Sequence, residues 1–393
     1  MRTAVLVLLV VAGVIILVVI LVRTNINEMA DTFGLDYRAY WSAARVLINQ
    51  SNPYDRVQLL AMEQASGYSG SLPIMVWYPP WAFAIILPFA FLLFPVSTIM
   101  WLVLNVFLAF SCGAVLWHEL APQDDRRYWL GMIFAFVYMP TFQMLRIGQI
   151  SLWLLAGITG FLVAVRRKRE GLAGAFLVLL TIKPHISFLF LLAVAWWIVR
   201  ERRWRVLLGG AAALGAACAM VGFISPAVFG QYLRPTAGSP LYYRTTTLGS
   251  WLLTVFGTEH YWLQYLPSVV GFILFVGWAL RRKGVWDWPR LVPGLLLAST
   301  ICAAFGWIHD TVTLLPVVVV LLARLRLLSS GQRVLLVSLY VLTQLGMLLL
   351  NQYGIDASYY YWYPLVLAGL YAWQQWMIRL ISHQGANEVP ERG

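Results

Sequence analysis

The hydrophobic positions of this chain form long apolar segments separated by short charged ones. The first runs from Ala4 to Val22 without interruption, which is long enough for a helix that crosses a bilayer. The later segments, by approximate bounds, are Trp77–Phe94, Ser97–Trp117, two halves within Tyr128–Val165, two halves within Gly171–Val199, Val206–Ile224, Trp262–Leu280, Leu291–Ile308, Thr311–Leu322, Val334–Leu350 and Tyr361–Leu380. The pattern predicts about 12 transmembrane helices, with one segment between residues 77 and 127 forming only a half-span or merging with its neighbour.

Two pairs of half-length segments are each interrupted by a polar tip. The first tip is RIGQ, Arg146 to Gln149, and the second is IKPH, Ile182 to His185. Halves of roughly a dozen to 18 residues are short for a hydrocarbon core of about 30 Å. We therefore expect them to be re-entrant or strongly tilted, which is tolerated where they line a cavity.

The stretch from Asp31 to Asp55 has the periodicity of an amphipathic helix. One helical face carries the apolar positions, namely Tyr37, Tyr40, Trp41, Ala44, Leu47 and Ile48. The opposite face carries Arg38, Ser42, Arg45 and Asn49. The pattern predicts a helix that lies along a membrane surface and ends before Pro53. Asp36 stands at its N-terminal end, where the simplest interpretation is an N-cap.

Composition places the chain among membrane proteins. Of its 393 residues 61% are hydrophobic and 11% charged, and the mean hydropathy is +0.75. A soluble core cannot bury that much apolar surface, so we predict a single all-α polytopic membrane domain over residues 1–393. The three cysteines, Cys112, Cys218 and Cys302, lie in apolar stretches without metal-ligand spacing and indicate neither a disulfide nor a metal site.

The charge pattern predicts the topology. The net charge of +12 comes from short Arg and Lys runs beside apolar segments, which is typical of the positive-inside rule and gives no indication of nucleic-acid binding. Both termini, including the polar tail 382–393, are then expected in the cytoplasm. Residues 23–76 would form a long first extracytoplasmic loop and residues 225–250 a second one.

Polar residues that interrupt the apolar segments are candidates for a site, because charge is costly there and is usually functional. Each has a plainer interpretation: a snorkelling Lys183 with His185, a topological Arg146 beside Gln149, a satisfied helix-end pair in His309 and Asp310, and a solvated Arg244. All of them are predicted on the same side of the membrane as Asp36. Their predicted position on one side of the membrane favours a shared functional site.

One carboxylate, several cations and an outward-facing apolar cavity fit sugar transfer from a lipid phosphate. The acceptor hydroxyl needs a base and the departing phosphate needs positive charge. Asp36 would be the base, and the candidate phosphate ligands are Lys183, His185, His309 and Arg146. The candidate substrate-binding residues are Tyr40, Trp41, Asn52, Tyr54, Tyr78, Gln149, Asp310 and Arg244. Nucleotide sugars are cytoplasmic, so the donor is expected to be polyprenyl-linked. The sequence contains no HExxH motif, no DxD motif in the first loop and no Gly-rich phosphate loop, so it gives no indication of a metal or nucleotide site.

A series of short motifs resembles glycosyltransferase family 87. The series is D-Y-x-x-Y-x-x-A-A-x-x-L (Asp36 to Leu47), N-P-Y-D (Asn52 to Asp55), W-Y-P-P (Trp77 to Pro80), G-Q (Gly148, Gln149), K-P (Lys183, Pro184), R-R-W-R (Arg202 to Arg205) and H-D (His309, Asp310). The family includes polyprenyl-phosphate-mannose-dependent α-mannosyltransferases of the actinobacterial envelope. The resemblance implies a GT-C fold, inverting transfer with Asp36 as general base, and a role for His309 near the donor phosphate.

The expected function is transfer of a hexose, with mannose as the expected sugar, from a polyprenyl-phosphate donor to a glycolipid or glycan on the outer face of a plasma membrane. The partners are then this donor, the acceptor and membrane lipids, with no cofactor and no resident metal. Two alternatives remain open. A transporter or flippase would usually show internal repeats, which are not evident here. An envelope-assembly partner would use the first-loop helix for docking, and Asp36 would not matter to it.

Overall fold

The computed structural model of the protein describes residues 34–122, 125–234 and 243–387, and every regular element in these residues is a helix. The α-helices are α1 Leu35–Ile48, α2 Arg56–Ala65, α3 Phe83–Ala90, α4 Phe94–Leu120, α5 Tyr128–Val137, α6 Met139–Ile147, α7 Ser151–Arg166, α8 Glu170–Leu177, α9 Phe188–Glu201, α10 Trp204–Ile224, α11 Ala227–Leu233, α12 Leu248–Phe256, α13 Leu266–Arg281, α14 Trp288–Cys302, α15 Leu315–Ala323, α16 Ser330–Gln352 and α17 Trp362–Asn387. Short 3-10 turns cover Pro80–Ala82, Val178–Ile182, Pro184–Ser187, Thr258–Gln264, Ile308–Leu314, Leu325–Leu327 and Ala357–Tyr360. The predicted all-α class is confirmed.

Six helical stretches of the described residues are long and apolar enough to cross a membrane. They are Phe94–Leu120, Pro184–Glu201, Trp204–Ile224, Thr258–Arg281, Ile308–Leu327 and Ser330–Gln352. The pair α5 and α6, bent by 62°, makes a seventh if it forms one span. The protein is therefore a membrane protein, whereas the count of about 12 spans stays a prediction. The predicted first span Ala4–Val22 and the end of the polar tail lie outside the described residues.

The two predicted polar tips coincide with breaks between helices. Gly148 adopts φ +72° and ends α6 in the left-handed conformation that glycine tolerates best, and α7 then begins at Ser151. At the second tip, Lys183 separates two 3-10 turns, and the following Pro184 cannot continue a helix. The apolar helices Ser151–Arg166 and Glu170–Ile182 are short, as the sequence predicts, whereas Pro184–Glu201, predicted as a half-length segment, is long enough to cross a membrane.

Helix α1 is packed inside the protein, so the predicted exposure of its polar face is wrong for most of its length, while a position along the membrane surface stays a prediction. On that face Arg38 is 1% exposed and Ser42 is fully buried, Arg45 is partly buried, and Asn49 at the end of the helix is exposed. Arg38 donates to the carbonyl oxygen of Ser66 at 2.5 Å and to its hydroxyl at 2.8 Å, and its guanidinium lies 4.3 Å from the ring centroid of Phe94. The chain that follows α1 thus supplies the polar partners that water was expected to provide.

The N-cap interpretation of Asp36 is also wrong. Gly34 is the N-cap of α1, and no side chain caps this end of the helix. Asp36 lies in the first turn, where its charge is favourable to the helix dipole, but its carboxylate is bonded elsewhere. The helix ends at Ile48, before Pro53, with Asn49 as its C-cap.

Two apolar clusters hold the bundle together. The larger surrounds α15, every residue of which is buried. The smaller joins α1 and α3 to Trp101 and to Ile150, Ile182 and Ile186. These isoleucines flank the two polar tips, so α1 and the tips are joined by the same apolar cluster.

Helices α8 and α10 meet at glycines. A Cβ at Gly209 would overlap the carbonyl oxygen of Gly171, whereas one at Gly215, on the same helix, would meet nothing within 4 Å. We expect Gly209→Ala to lower the stability of the protein by about 1–3 kcal/mol, because overpacking moves the helices apart. Gly215→Ala, the matched control, should leave the melting temperature in detergent near that of the wild type. Equal melting temperatures for the two variants would contradict this packing.

Candidate active site

A cavity of about 700 Å³ lies between α1, the segment that precedes α3, both polar tips and the chain from Phe305 to Asp310. Its walls mix polar and aromatic side chains. Eight of the residues predicted from the sequence line it, namely Asp36, Tyr40, Tyr78, Gln149, Lys183, His185, His309 and Asp310. Residues that are distant in the sequence are therefore brought to one site.

Gln149 connects the two sides of this cavity. Its Oε1 accepts hydrogen bonds from the Tyr40 hydroxyl at 2.5 Å, the Tyr78 hydroxyl at 2.8 Å and Lys183 Nζ at 3.2 Å. Its Nε2 donates to Asp36 Oδ2 at 2.7 Å. The amide orientation follows from these partners, since only the oxygen can accept from three donors and only the nitrogen can donate to a carboxylate.

Lys183 and Asp310 form a buried ion pair at the base of the cavity. Lys183 Nζ lies 2.6 Å from Asp310 Oδ1, and the two residues are 4% and 2% exposed. Asp310 also accepts from the Ser151 hydroxyl at 2.6 Å and, through Oδ2, from the Trp307 backbone N–H at 2.9 Å. The sequence predicts that Lys183 binds the donor phosphate. In the structure its charge is already compensated by Asp310, which accepts several hydrogen bonds.

Among the described residues, Asp36 is the carboxylate of the cavity that has an oxygen without a hydrogen bond. Oδ2 accepts from Gln149, and no hydrogen bond from the described residues reaches Oδ1. Burial raises the pKa of Asp36 to about 6, although the Gln149 amide and the Lys183 charge lower it. A carboxyl group with a pKa this close to neutrality can be deprotonated at pH 7 and still accept a proton readily.

Two imidazoles face the same cavity. His309 stacks on Trp307 with ring centroids 6.4 Å apart, and its Nε2 is buried without a hydrogen-bond partner among the described residues. His185 packs edge-on against Phe305 at 6.5 Å. A buried ring nitrogen without a partner is costly in an empty site, so His309 is well placed to bind a ligand.

The cavity also contains aromatic residues that sequence reasoning did not select. Tyr232, Tyr243 and Trp307 line it, and the rings of Tyr243 and Trp307 are 6.1 Å apart. The position of Trp307 just before the His309–Asp310 pair was the one available signal. Tyr232 lies in the short helix α11 and Tyr243 precedes α12, and nothing in their local sequence distinguishes them from other aromatic residues.

Five predicted site residues do not line the cavity. Arg146, in the first polar tip, is exposed. Arg244 is also exposed and pairs with Asp356 at 3.2 Å. Trp41 donates to the carbonyl oxygen of Leu92. In N-P-Y-D, Asn52 accepts from the Tyr54 N–H at 3.0 Å, and the Tyr54 hydroxyl donates to the Tyr78 carbonyl at 2.9 Å. That motif positions the cavity wall.

Sequence reasoning also missed Glu63, a buried carboxylate in α2. Both of its oxygens accept from the Ile74 N–H, at 3.2 and 3.1 Å, and Ile74 lines the cavity. Burial raises the pKa of Glu63 to about 7. Its role is to hold the segment that closes one side of the cavity.

No group of three or more His, Cys, Asp or Glu side chains gathers within residues 34–122, 125–234 and 243–387 in a way that could hold a metal ion. The polar groups of the cavity are instead largely paired with one another, whereas Asp36 Oδ1 and the buried His309 Nε2 have no hydrogen bond from the described residues.

Comparison with known proteins gives one result. No curated protein and no solved structure matches the chain significantly. The model of glycosyltransferase family 87 matches residues 77–351, which contain every lining residue named above except Asp36, Tyr40 and Ile74. Helix α1, with Asp36, precedes the matched region. With a match over more than half its length, the chain belongs to glycosyltransferase family 87.

Proposed function

We propose that this glycosyltransferase moves a hexose, with mannose as the expected sugar, from a polyprenyl-phosphate donor to a glycolipid or glycan acceptor at the outer face of a plasma membrane. It would be a GT-C-type enzyme that works by single displacement with inversion. It would need no soluble cofactor and no resident metal, with the lipid-linked donor as co-substrate.

The observation that carries the proposal is the arrangement of the cavity. A carboxylate with a free oxygen, Asp36, shares it with two imidazoles and a set of aromatic rings. Aromatic faces stack on sugar rings and prenyl chains, and hydrogen-bond donors stabilise a departing phosphate. Because the charge of Lys183 is paired with Asp310, Lys183 would act on the reaction through its hydrogen bond to Gln149, which in turn binds Asp36.

The proposed reaction is one displacement at the anomeric carbon. Asp36 Oδ1 accepts the proton of the acceptor hydroxyl as its oxygen forms the new glycosidic bond. The bond between the anomeric carbon and the phosphate oxygen breaks, and its electron pair leaves with the polyprenyl phosphate. His309 and His185 donate hydrogen bonds to that phosphate, while Gln149 holds Asp36 in position.

The test is transfer of radiolabelled sugar by the purified protein. Polyprenyl-phosphate-mannose, polyprenyl-phosphate-glucose and GDP-mannose are each supplied with a membrane lipid extract. We expect label in a lipid product with a polyprenyl donor and none with GDP-mannose. Transfer from GDP-mannose alone would overturn the proposed donor class, and label from the glucose donor alone would overturn the choice of mannose.

The pH dependence of transfer follows from the base. Deprotonated Asp36 is the active form, so the rate should rise with pH through a midpoint near its pKa of about 6 and level off above it. Gln149→Leu removes a hydrogen bond that lowers this pKa, so the midpoint should move upward. Glu63→Gln serves as the control, because Glu63 titrates near 7 outside the reaction path; an acid limb that vanished in Glu63→Gln would assign it to Glu63.

A further inference from the structure

A second concave surface lies at the end of α13, in a part of the protein that does not contribute to the active-site cavity. It is a groove of about 560 Å³ with an apolar wall formed by Ile273, Leu274 and Trp278. Gly277 also lines it, and a Cβ there would meet nothing within 4 Å. The groove is therefore open along the helix.

Three consecutive basic residues lie at the C-terminal end of the candidate span Thr258–Arg281. Arg281, Arg282 and Lys283 all line the groove. No carboxylate is among its lining residues, and within the described part of the chain none of the three has an ion pair. Within the described residues, their combined positive charge is thus not compensated by any ion pair.

This basic run differs from the others in the described residues, each of which contains an ion pair. Arg166 pairs with Glu119 at 3.1 Å, Arg203 with Glu170 at 2.7 Å, and Arg326 with Asp125 at 3.6 Å. A role only in setting the orientation of the membrane spans applies equally to all four basic runs. It does not explain why the run beside a groove is the one without acidic partners.

Arg282 is held rigidly over the groove. Its guanidinium lies 5.2 Å from the ring centroid of Trp278 and 4.9 Å from that of Trp286, and it donates to the Val285 carbonyl at 2.7 Å. Its Nε is buried without a hydrogen-bond partner among the described residues. Arg200 donates to the Arg282 carbonyl at 2.5 Å and fixes the backbone. A cation that is held in place in this way favours binding of an anion.

We propose that this groove binds an anionic phospholipid of the bilayer. The lipid phosphate contacts Arg281, Arg282 and Lys283 at the level where the span ends. An acyl chain follows Ile273, Leu274 and Gly277 into the apolar region. Basic residues next to a membrane span attract anionic headgroups, and the apolar wall accommodates the chain that a free phosphate lacks.

The experiment is native mass spectrometry of the full-length protein with phosphatidylglycerol, phosphatidylcholine and soluble glycerol phosphate. We expect tighter binding of phosphatidylglycerol than of phosphatidylcholine. The double variant Arg281→Gln/Lys283→Gln should weaken it about fivefold per neutralised charge. Gly277→Leu, which fills the groove, should weaken lipid binding while all charges remain.

The matched control is Arg167→Gln/Lys168→Gln, which removes the same charge from a run outside the groove. It should leave phosphatidylglycerol binding unchanged, and melting temperatures establish that all variants are folded. Equal losses in both double variants, or equal binding of phosphatidylcholine, would overturn the proposal. Full competition by glycerol phosphate, with no effect of Gly277→Leu, would assign the site to a free phosphate and also overturn it.

Discussion

Asp36→Asn is expected to abolish sugar transfer in a protein that still folds. Asn keeps an oxygen that can accept the hydrogen bond from Gln149 Nε2 but cannot take a proton from the acceptor hydroxyl. Loss of a general base lowers the rate by about 10²–10⁴-fold. The measurement is kcat with saturating polyprenyl-phosphate-mannose at pH 8, where Asp36, with its pKa of about 6, is deprotonated in the wild type.

Two controls separate catalysis from folding. Asp287→Asn removes an exposed carboxylate that pairs with Arg290 at 3.0 Å, away from the cavity, and should retain full activity. Asp36→Glu keeps a base but displaces it, so it should retain partial activity. An active Asp36→Asn protein would move the base to another residue of the cavity.

Neutralising one partner of the Lys183–Asp310 pair is expected to have the largest effect on stability. Lys183→Met leaves the Asp310 charge buried with its hydrogen bonds to Ser151 and the Trp307 backbone but without a cation. Breaking a buried pair in this way costs about 3–5 kcal/mol. The melting temperature in detergent should fall sharply, and the Trp307–His309 wall of the cavity should be disturbed.

The double variant Lys183→Met/Asp310→Asn provides the decisive comparison. With both charges removed, it should recover much of the stability that either single variant loses. Arg244→Gln, which breaks an exposed pair with Asp356, should change the stability by less than about 1 kcal/mol. A Lys183→Met protein as stable as Arg244→Gln would contradict the structural role of the buried pair.

The sequence predicts much of the fold because hydrophobic segments and helix breakers act locally. The two polar tips are visible as interruptions of apolar segments, and Gly148 and Pro184 break the helices where expected. The environment of α1 could not be predicted in the same way. Its polar face is covered by a distant contact between Arg38 and Ser66, and helical periodicity does not distinguish a polar face in water from one that is bonded internally.

The same distinction applies to the candidate site. The sequence identifies Lys183, His185, His309 and Asp310 as candidates because polar residues in apolar segments are costly and therefore informative, and all four line the cavity. The sequence does not reveal which of these charged residues pair with each other, so it predicts Lys183 as a phosphate ligand although Asp310 compensates its charge. Arg146 is also a charged residue at a polar tip, yet it is exposed and does not line the cavity, whereas Gln149 of the same tip does.

The central claim is that the donor binds in the 700 Å³ cavity with its anomeric carbon near Asp36. The most direct measurement is a structure of the full-length protein with a non-transferable phosphonate analogue of polyprenyl-phosphate-mannose. We predict density for the phosphonate beside His309 and for the sugar between Asp36 and the aromatic wall. Density for the analogue outside this cavity, with Asp36 facing an empty site, would contradict the account.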